Sequence, residues 1–368
     1  MWAAAVSTGG AACGTNAPLA TDEGGTQQSA QTDAADTADA PTPAPQTETG
    51  ASGAESNDGT TATPPTTDAA DSTDTTDGPP GKPEEGVVRF IAMGDGGEGN
   101  TSQYLVAGVV EDVCADRGCE FALYLGDNFY DSGVDSAMDV QFTDKFEMPY
   151  ANLDLPFYIT LGNHDYDLLG NAWWKSTYQV EYSEFSDKWT LPSEFYSFDA
   201  GHVRFIGLDT AQLFWNHEID AQRSFVQNVL ANNERRFTVA FGHHPFISNG
   251  QHGNAGNYEG FPIPIVGGAD VRDFFEDEVC NQVTVYICGH DHNRQWFPTH
   301  CGTQFLVVGT AAKNTDFEHR DDNPVPYFED DTIPGFAWIE IANEEMTVAW
   351  YDENGTLNFE DTIVLPEN

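Results

Sequence analysis

From residue 87 onward, short apolar segments alternate with stretches in which apolar residues recur at helical spacing. Five of the apolar segments stand out because each ends directly before a glycine: Val87–Met93, Phe121–Leu125, Pro156–Leu161, Phe237–Phe241 and Val283–Cys288. Their length of five to seven residues is typical of buried strands. Between the first two, the spacing predicts a helix through Leu105, Val106, Val109, Val110 and Val113.

Residues that can bind a metal follow each of these glycines. The five sequences are Gly94-Asp95, Gly126-Asp127-Asn128, Gly162-Asn163-His164-Asp165, Gly242-His243-His244 and Gly289-His290-Asp291-His292. Ligands of α/β sheets bind beyond the carboxyl ends of the strands, so we expect the five loops to meet at one place. Each glycine is expected to permit a sharp turn with positive φ and a close approach of the backbone to a metal or phosphate.

The alternation of strands and helices predicts an α/β domain with helices outside the sheet. Four further segments are predicted to form hairpins of a second sheet that packs against the first: Glu194–Ala200, His202–Leu208, Phe336–Ile341 and Met346–Tyr351. The next helix after Thr210 is predicted to start near Ile219. We therefore predict a four-layered α/β/β/α sandwich over residues 86–368.

Composition separates that domain from the residues before it. Residues 14–85 consist almost entirely of Ala, Thr, Asp, Gly, Pro, Ser, Gln and Glu, and their only large apolar residue is Leu19. Such a segment cannot bury enough apolar surface to offset the entropy of ordering it, so we predict a disordered acidic linker.

The first thirteen residues allow two interpretations. They are weakly apolar and lack a basic start, but Gly10-Ala11-Ala12-Cys13 resembles the processed end of a bacterial lipoprotein. In that interpretation a lipid on Cys13 tethers a secreted, periplasmic or cell-surface protein to a membrane. In the other interpretation Cys13 is an incidental residue of the tail.

The net charge of the chain is −46. Residues 14–85 contribute −13 through 14 acidic residues and one lysine, which leaves −33 for the predicted domain. A field of this sign repels polyanions, so nucleic acid is excluded as a partner. The acidity indicates either a solvated acidic surface or adaptation to high salt, where screening removes the self-repulsion.

The cysteines of the domain predict two disulfides. Cys114 and Cys119 stand five positions apart around a turn, and Cys280 and Cys301 flank a predicted strand pair. Both pairs are expected to be oxidised in an oxidising compartment. Cys288 lies within an apolar strand and is expected to be a buried thiol.

The order of the motifs, GD, GDNFY, GNHD, GHHP and GHDH, resembles the calcineurin-like metallophosphoesterases. Tyr130 in the second motif narrows the resemblance to purple acid phosphatases of the tartrate-resistant type. The resemblance covers Val87 to Val364, although residues 315–336 align poorly. It implies an acid phosphatase, expected to be a monomer. Such an enzyme hydrolyses small phosphate monoesters by attack of a metal-bound hydroxide at an Fe(III)–M(II) centre, M(II) being Fe, Zn or Mn.

The resemblance also assigns site residues. The Fe(III) ligands would be Asp95, Tyr130, His292 and the bridging Asp127, and the M(II) ligands Asn163, His243, His290 and the same Asp127. This division suits a hard Fe(III) ion, which favours carboxylate and phenolate, and a softer divalent ion. Two histidines outside this set would donate a proton to the leaving group: His164 is the first candidate, with Asp165 orienting it, and His252 is the second.

Three other activities compete with this interpretation. A phosphodiesterase or pyrophosphatase would use the same metal site, and a di-iron form would have redox activity as a side reaction. A non-catalytic surface protein would bind metal or phosphate without turnover, but the intact set of ligands argues against it.

Overall fold

The structure is a computed structural model that describes residues 86–167, 170–260, 266–319 and 321–366. The predictions for residues 1–13, for Cys13 and for the linker 14–85 lie outside these ranges. Within the described ranges, no helix combines the length and the apolar character that a membrane crossing requires.

Fourteen strands are present in the described part of the chain. In chain order they are β1 (Val87–Met93), β2 (Phe121–Leu125), β3 (Phe157–Thr160), β4 (Trp189–Thr190), β5 (Tyr196–Ala200), β6 (Val203–Gly207), β7 (Phe237–Phe241), β8 (Val285–Cys288), β9 (Arg294–His300), β10 (Thr303–Val308), β11 (Phe328–Asp330), β12 (Gly335–Ala342), β13 (Glu345–Asp352) and β14 (Leu357–Val364). They form two seven-stranded sheets, with the orders β14-β13-β12-β1-β2-β3-β4 and β11-β9-β10-β8-β7-β6-β5. The predicted bounds of β1, β2 and β7 are confirmed.

Both sheets are mixed. Strands β1 to β4 are parallel in the first sheet, as are β6, β7, β8 and β10 in the second. The two predicted hairpins are present, but the second lies in the first sheet, where β12 pairs antiparallel with β1 and Phe90 faces Ile339. The prediction that both hairpins build the second sheet is therefore wrong. Strand β12 is apolar at successive positions, and this pattern suits a central strand that is covered on both faces.

Six α-helices accompany the strands in these ranges: α1 (Thr101–Arg117), α2 (Val140–Phe142), α3 (Lys175–Tyr182), α4 (Thr210–Phe214), α5 (Ile219–Ala231) and α6 (Ala269–Glu278). Helix α1 begins after Asn100, whose side chain accepts a hydrogen bond from the Gln103 amide over 3.0 Å and caps the helix. It buries the predicted apolar positions Val106, Val110 and Val113. Helix α5 begins at Ile219, as predicted, but it is not the next helix after Thr210. The short helix α4 begins at Thr210 itself, where the Asp209 side chain caps it.

The sheets face each other across an aromatic core. Phe205 of β6 meets Phe90 and Phe121 of the first sheet edge-on, with ring centroids 5.4 and 5.2 Å apart. On the other face of the second sheet, α5 and α6 bury Val226, Phe275 and their neighbours in a separate apolar cluster. Helix α1 packs against the first sheet, so the predicted α/β/β/α order of layers is confirmed.

Both predicted disulfides are confirmed. Cys114–Cys119 joins the last turn of α1 to the segment that leads into β2, and Cys280–Cys301 joins the segment after α6 to the turn between β9 and β10. Cys288 is a buried free thiol, as expected.

Candidate metal centre

Five loops meet where the two sheets adjoin. Three follow β1, β2 and β3 of the first sheet, and two follow β7 and β8 of the second. Hydrogen bonds join them: the Asp95 amide donates to the Gly126 carbonyl over 3.0 Å, and the His290 amide donates to Asp95 Oδ2 over 2.9 Å. The carboxyl ends of both sheets thus build one site.

At this site, positive φ angles occur mostly at residues other than glycine. Asp95, Asp127 and His290 have φ of 61°, 52° and 70°, whereas among the five motif glycines only Gly126 has a positive φ, of 86°. The expectation of a positive φ at every glycine is therefore wrong. Holding non-glycine residues in this sparsely populated region costs energy, which the packing around the site must offset.

Two of the remaining glycines serve close approach instead. A Cβ on Gly162 would lie 2.1 Å from Asp127 Oδ1, and a Cβ on Gly289 would lie 2.4 Å from Asp95 Oδ2. The two carboxylates therefore lie directly against backbone. No residue larger than glycine fits at either position without moving a predicted ligand.

Three predicted Fe(III) ligands form one group. The Tyr130 hydroxyl donates to Asp95 Oδ1 over 2.9 Å. His292 Nε2 lies 3.3 Å from that same oxygen and 3.3 Å from the Tyr130 hydroxyl. A phenol, a carboxylate and an imidazole thus converge on one small volume.

The predicted M(II) ligands form an adjoining group. His243 Nε2 lies 3.1 Å from Asn163 Oδ1 and 3.1 Å from His290 Nδ1. Asp127 lies between the groups: its Oδ1 is 3.4 Å from His243 Nε2, and its charge also acts on Tyr130. The structure therefore brings all seven predicted ligands together.

Electrostatics in this cluster favour a cation. Burial opposes ionisation of Asp127, but His243 and His164 lower its pKa nonetheless. Burial likewise opposes charge on His243, yet the carboxylates of Asp127 and Asp95 raise its pKa to about 9. The two carboxylates therefore stabilise a positive charge on His243, and a metal ion would take the place of the proton that His243 carries.

The remaining ligands also fit metal ions. Burial, together with the nearby carboxylates, raises the pKa of Tyr130 well above that of a free phenol, so a strongly charged cation is needed to hold the phenolate. Burial and the neighbouring histidines lower the pKa of His290, which keeps its imidazole neutral and able to bind a metal. Asp95, Asp127 and His243 each offer one ligand atom, and these three atoms lie within 4.8 Å of one another. The donor set therefore fits a dinuclear metal centre.

The two predicted proton donors lie on opposite sides of the cluster. The His164 ring lies beside Tyr130, with centroids 4.7 Å apart, and its Nδ1 is 2.8 Å from the Asp131 carbonyl oxygen. Asp165 does not contact this ring, so the prediction that it orients His164 is wrong. Its carboxylate is buried and accepts hydrogen bonds from backbone amides, including that of Gly162 over 2.8 Å. Asp165 thus braces the turn that presents Asn163.

His252 lies on the other side, stacked on His290 with ring centroids 4.0 Å apart. Its Nδ1 contacts the carboxylate of Glu259, and its backbone amide donates to Asp291 Oδ1 over 2.8 Å. Burial alone would lower the pKa of His252, but Glu259 raises it. Glu259 was not predicted as a site residue, because no motif contains it and its contact with His252 depends on how the loop folds back.

A lysine that belongs to none of the motifs also lies near the predicted Fe(III) ligands. Lys313 Nζ lies 3.3 Å from the centroid of the Tyr130 ring and 2.7 Å from Glu98 Oε1. An ammonium over an aromatic face is a cation–π contact. Lys313 follows β10 by five positions and lies outside the glycine motifs, so no motif assigned it a role.

A cavity of about 220 Å³ adjoins the M(II) group. Asn163, His290 and His252 line its end nearest the predicted ligands. The other described lining residues are Gly170, Ala211, Phe214, Trp215, His244, Tyr258, Glu259 and Val266. One wall is therefore polar and basic, and the other is mainly aromatic.

Comparisons with known proteins agree with this geometry. Residues 88–294 match the family model of the calcineurin-like phosphoesterases. The chain is 30% identical over 305 residues to tartrate-resistant acid phosphatase type 5 of Homo sapiens, covering 73% of this chain and 88% of that protein. It is 26% identical over 304 residues to purple acid phosphatase 3 of Arabidopsis thaliana, covering 74% of this chain and 76% of that one. The solved structure of GAP50, the anchor in the inner membrane complex of Plasmodium, shares the fold with a TM-score of 0.62 at 21% identity, covering 76% of this chain and 89% of that one.

Proposed function

The chain belongs to the calcineurin-like phosphoesterase family, and on that premise we propose that it is an acid phosphatase that hydrolyses phosphate monoesters at a dinuclear Fe(III)–M(II) centre. The observation that carries the proposal is the position of Tyr130. Its hydroxyl lies within hydrogen-bonding distance of both Asp95 and His292, where a phenolate would complete a hard ligand set suited to Fe(III). M(II) would be Fe, Zn or Mn, held by Asn163, His243 and His290.

Charge explains how such a site would bind phosphate in an acidic protein. The five formal charges of Fe(III) and M(II) exceed the three negative charges of Asp95, Asp127 and an ionised Tyr130. The net positive charge suits a phosphate dianion, because the nearest charges outweigh the −33 spread over the domain. When bound, the metals supply the nucleophile and the positive charge that phosphoryl transfer requires.

We further propose that His252 is the main proton donor to the leaving group. It lines the cavity beside the M(II) group, where an ester group has room, and Glu259 holds its ring and favours its protonated form. His164 lies beside Tyr130 and is not among the described residues that line this cavity. We therefore propose that His164 contacts the phosphate group itself.

The fold alone does not decide between an enzyme and a binding protein. GAP50 shares the fold and is described as an anchor. In this chain the complete donor set and the adjoining cavity support catalysis. The two disulfides support export to an oxidising compartment, and we propose a secreted, periplasmic or cell-surface location, with lipidation of Cys13 as one means of retention.

Metal analysis and the visible spectrum of the purified protein test this proposal. We expect iron, a violet or pink band in the oxidised protein, and phosphatase activity. Tyr130→Phe should abolish the band and keep the far-UV circular dichroism, while Tyr104→Phe, at an exposed position on α1, should keep the band. A colourless, fully active protein that contains only zinc or manganese would contradict the Fe(III) assignment.

A further inference from the structure

The ring of Tyr130 carries an ammonium group over one face. Lys313 Nζ lies 3.3 Å from the ring centroid, well inside the distance of about 6 Å within which a cation is attracted to an aromatic face. The proposed metal site uses only the hydroxyl oxygen of Tyr130, which contacts Asp95 and His292. The contact with Lys313 is therefore a separate interaction on the same side chain.

The backbone that presents Lys313 is held from two sides. The Ala311 amide donates to the Gly94 carbonyl oxygen over 3.0 Å, which ties this segment to the end of β1. The Asn100 side chain, which also caps α1, donates to the Ala312 carbonyl oxygen over 2.9 Å. Only the side chain of Lys313 then has to be ordered for its ammonium to reach the ring.

Glu98 fixes the ammonium in place. Its Oε1 lies 2.7 Å from Lys313 Nζ, and both side chains are partly exposed. Ion pairs of this kind contribute little to stability, because solvent screens them and two long side chains must be ordered. The contact is better explained by its effect on position, since it holds a positive charge over Tyr130.

The other surroundings of Tyr130 oppose a negative charge on it. The side chain is buried, and its hydroxyl lies 2.9 Å from the carboxylate of Asp95. Among the lysines and arginines of the described ranges, Lys313 is the one that lies over the ring. The ammonium of Lys145 donates to the backbone carbonyl of Tyr130 instead. Lys313 is thus the side chain placed to offset the negative charges at this ring.

We propose that Lys313 is a positioning residue that acts through Tyr130: its ammonium stabilises the phenolate and so leaves a bound Fe(III) ion with more of its own charge. This inference rests on the proposed Fe(III) centre. A phenolate whose charge is attracted by an ammonium donates less electron density to the ion, as partners of metal ligands do in general. The ion then attracts a phosphate group more strongly and takes up an electron more readily.

Two measurable properties follow. The visible band moves electron density from the phenolate to Fe(III), and an ammonium over the ring opposes that movement, so Lys313 keeps the band at shorter wavelength. Lys313 also favours the reduced ion, which carries one positive charge less. In protein loaded with iron and zinc only the iron changes its oxidation state, because zinc is not redox-active. One electron then passes from a reduced mediator dye to Fe(III), and the dye is oxidised.

Lys313→Met and Lys313→Arg test the inference in this iron- and zinc-loaded protein. Methionine keeps an unbranched side chain and removes the charge, so the band should move to longer wavelength. At a fixed potential the ratio of Fe(II) to Fe(III) should fall about 3- to 10-fold, an effect of the size that cation–π contacts give. Arginine keeps a cation over the ring and should restore both properties. Absorption spectra and mediated redox titrations measure them.

Two further variants separate charge from packing. Lys188→Met makes the same change at a lysine whose ammonium contacts Glu147 and the Tyr150 carbonyl oxygen, and both properties should stay at their wild-type values. Glu98→Gln keeps an acceptor for Lys313 and removes the opposing negative charge. Its band should move to shorter wavelength and its iron should be easier to reduce. Shifts of opposite sign are expected from charge and not from a loss of packing.

The outcomes distinguish this inference from the proposal beneath it. A coloured protein whose band and reduction are unchanged in Lys313→Met, or changed equally in Lys313→Met and Lys313→Arg, would overturn the role of Lys313 and leave the Fe(III) assignment standing. A shift of the same sign in Lys313→Met and Glu98→Gln would overturn it as well. Wild-type protein that binds iron and shows no violet or pink band would instead overturn the proposed bond between Tyr130 and Fe(III).

Discussion

Replacing Asp209 by asparagine should change how the stability of the domain depends on pH. Asp209 is fully buried between β6 and α4, and it caps α4 by accepting a hydrogen bond from the Gln212 amide over 3.0 Å. The Gln212 side chain and the Tyr166 hydroxyl donate to its second oxygen. Burial outweighs these hydrogen bonds and raises the pKa of Asp209 to about 7.

The direction of the effect follows from proton binding. Because the pKa in the fold lies above that of the unfolded chain, the folded state binds the extra proton between these two values. The stabilisation is fully present below about pH 4 and is lost as the pH rises through about 7. A pKa that rises from about 3.9 to about 7 corresponds to about 4 kcal/mol, a large part of the ~5–15 kcal/mol by which domains are stable.

Asparagine imitates the neutral acid at this position. It can accept from the Gln212 amide through its carbonyl oxygen and present its NH₂ group to the oxygen of Tyr166. We expect the free energy of unfolding of Asp209→Asn, minus that of the wild type, to become more positive by about 4 kcal/mol between pH 4 and pH 8. Urea denaturation of both metal-loaded proteins across this range, followed by circular dichroism, measures the difference.

Asp199→Asn is the matched control. Asp199 is partly exposed, and the hydrogen bonds and charges of Arg204 and Arg235 outweigh the desolvation penalty and lower its pKa. Its contribution is therefore lost only as the pH falls through that low value, and it should be constant from pH 5 to pH 8. If the difference between Asp209→Asn and the wild type were equally flat, Asp209 would remain ionised in the fold, and the reasoning from burial would be refuted.

Four further predictions concern the site and the disulfides. Asp127→Asn should lose both metal and activity, since its carboxylate lies between the two groups of ligands; metal analysis after dialysis checks this against the wild type. His252→Ala should keep the metals and slow alkyl phosphates about 10²- to 10⁴-fold, with a smaller loss for 4-nitrophenyl phosphate. His164→Ala should slow both substrates alike, and equal losses in both variants would contradict the division of roles. Replacing Cys280 and Cys301 by serine opens a loop of sequence separation 21 and should cost about 3 kcal/mol in urea denaturation.

Much of the fold was predictable because its central strands are buried on both faces. Such strands leave continuous apolar segments in the sequence, and β1, β2 and β7 were predicted with the correct bounds. The sheet to which β12 belongs was not predictable in this way. The local sequence pattern predicts a hairpin. Which of the two sheets this hairpin joins depends on pairing between residues far apart in the sequence, such as Phe90 and Ile339.

The same distinction, between local sequence pattern and long-range contacts, applies to the residues of the site. All seven predicted ligands follow strands in short motifs, and the structure brings them together because parallel strands deliver their carboxyl ends to one edge. Residues that reach the site from other loops do not belong to such motifs. The positions of Glu259, Lys313 and the cavity residues Phe214 and Trp215 depend on loops that fold back over the sheets. The direction of the Asp165 side chain depends on the backbone amides that donate hydrogen bonds to it.

The spread of the ligands along the chain has a consequence for how the protein matures. Asp95 and His290, which are joined by a hydrogen bond, are separated by 195 positions, and the groups they belong to draw on both sheets. No shorter fragment contains a complete site, so a chain that leaves the ribosome amino end first cannot take up both ions until β8 has docked. Metal uptake is then a late event in folding, and only chains in which both sheets have formed are stabilised by it. Once bound, the ions would fasten one sheet to the other, and a chelator would loosen that junction before it loosened either sheet.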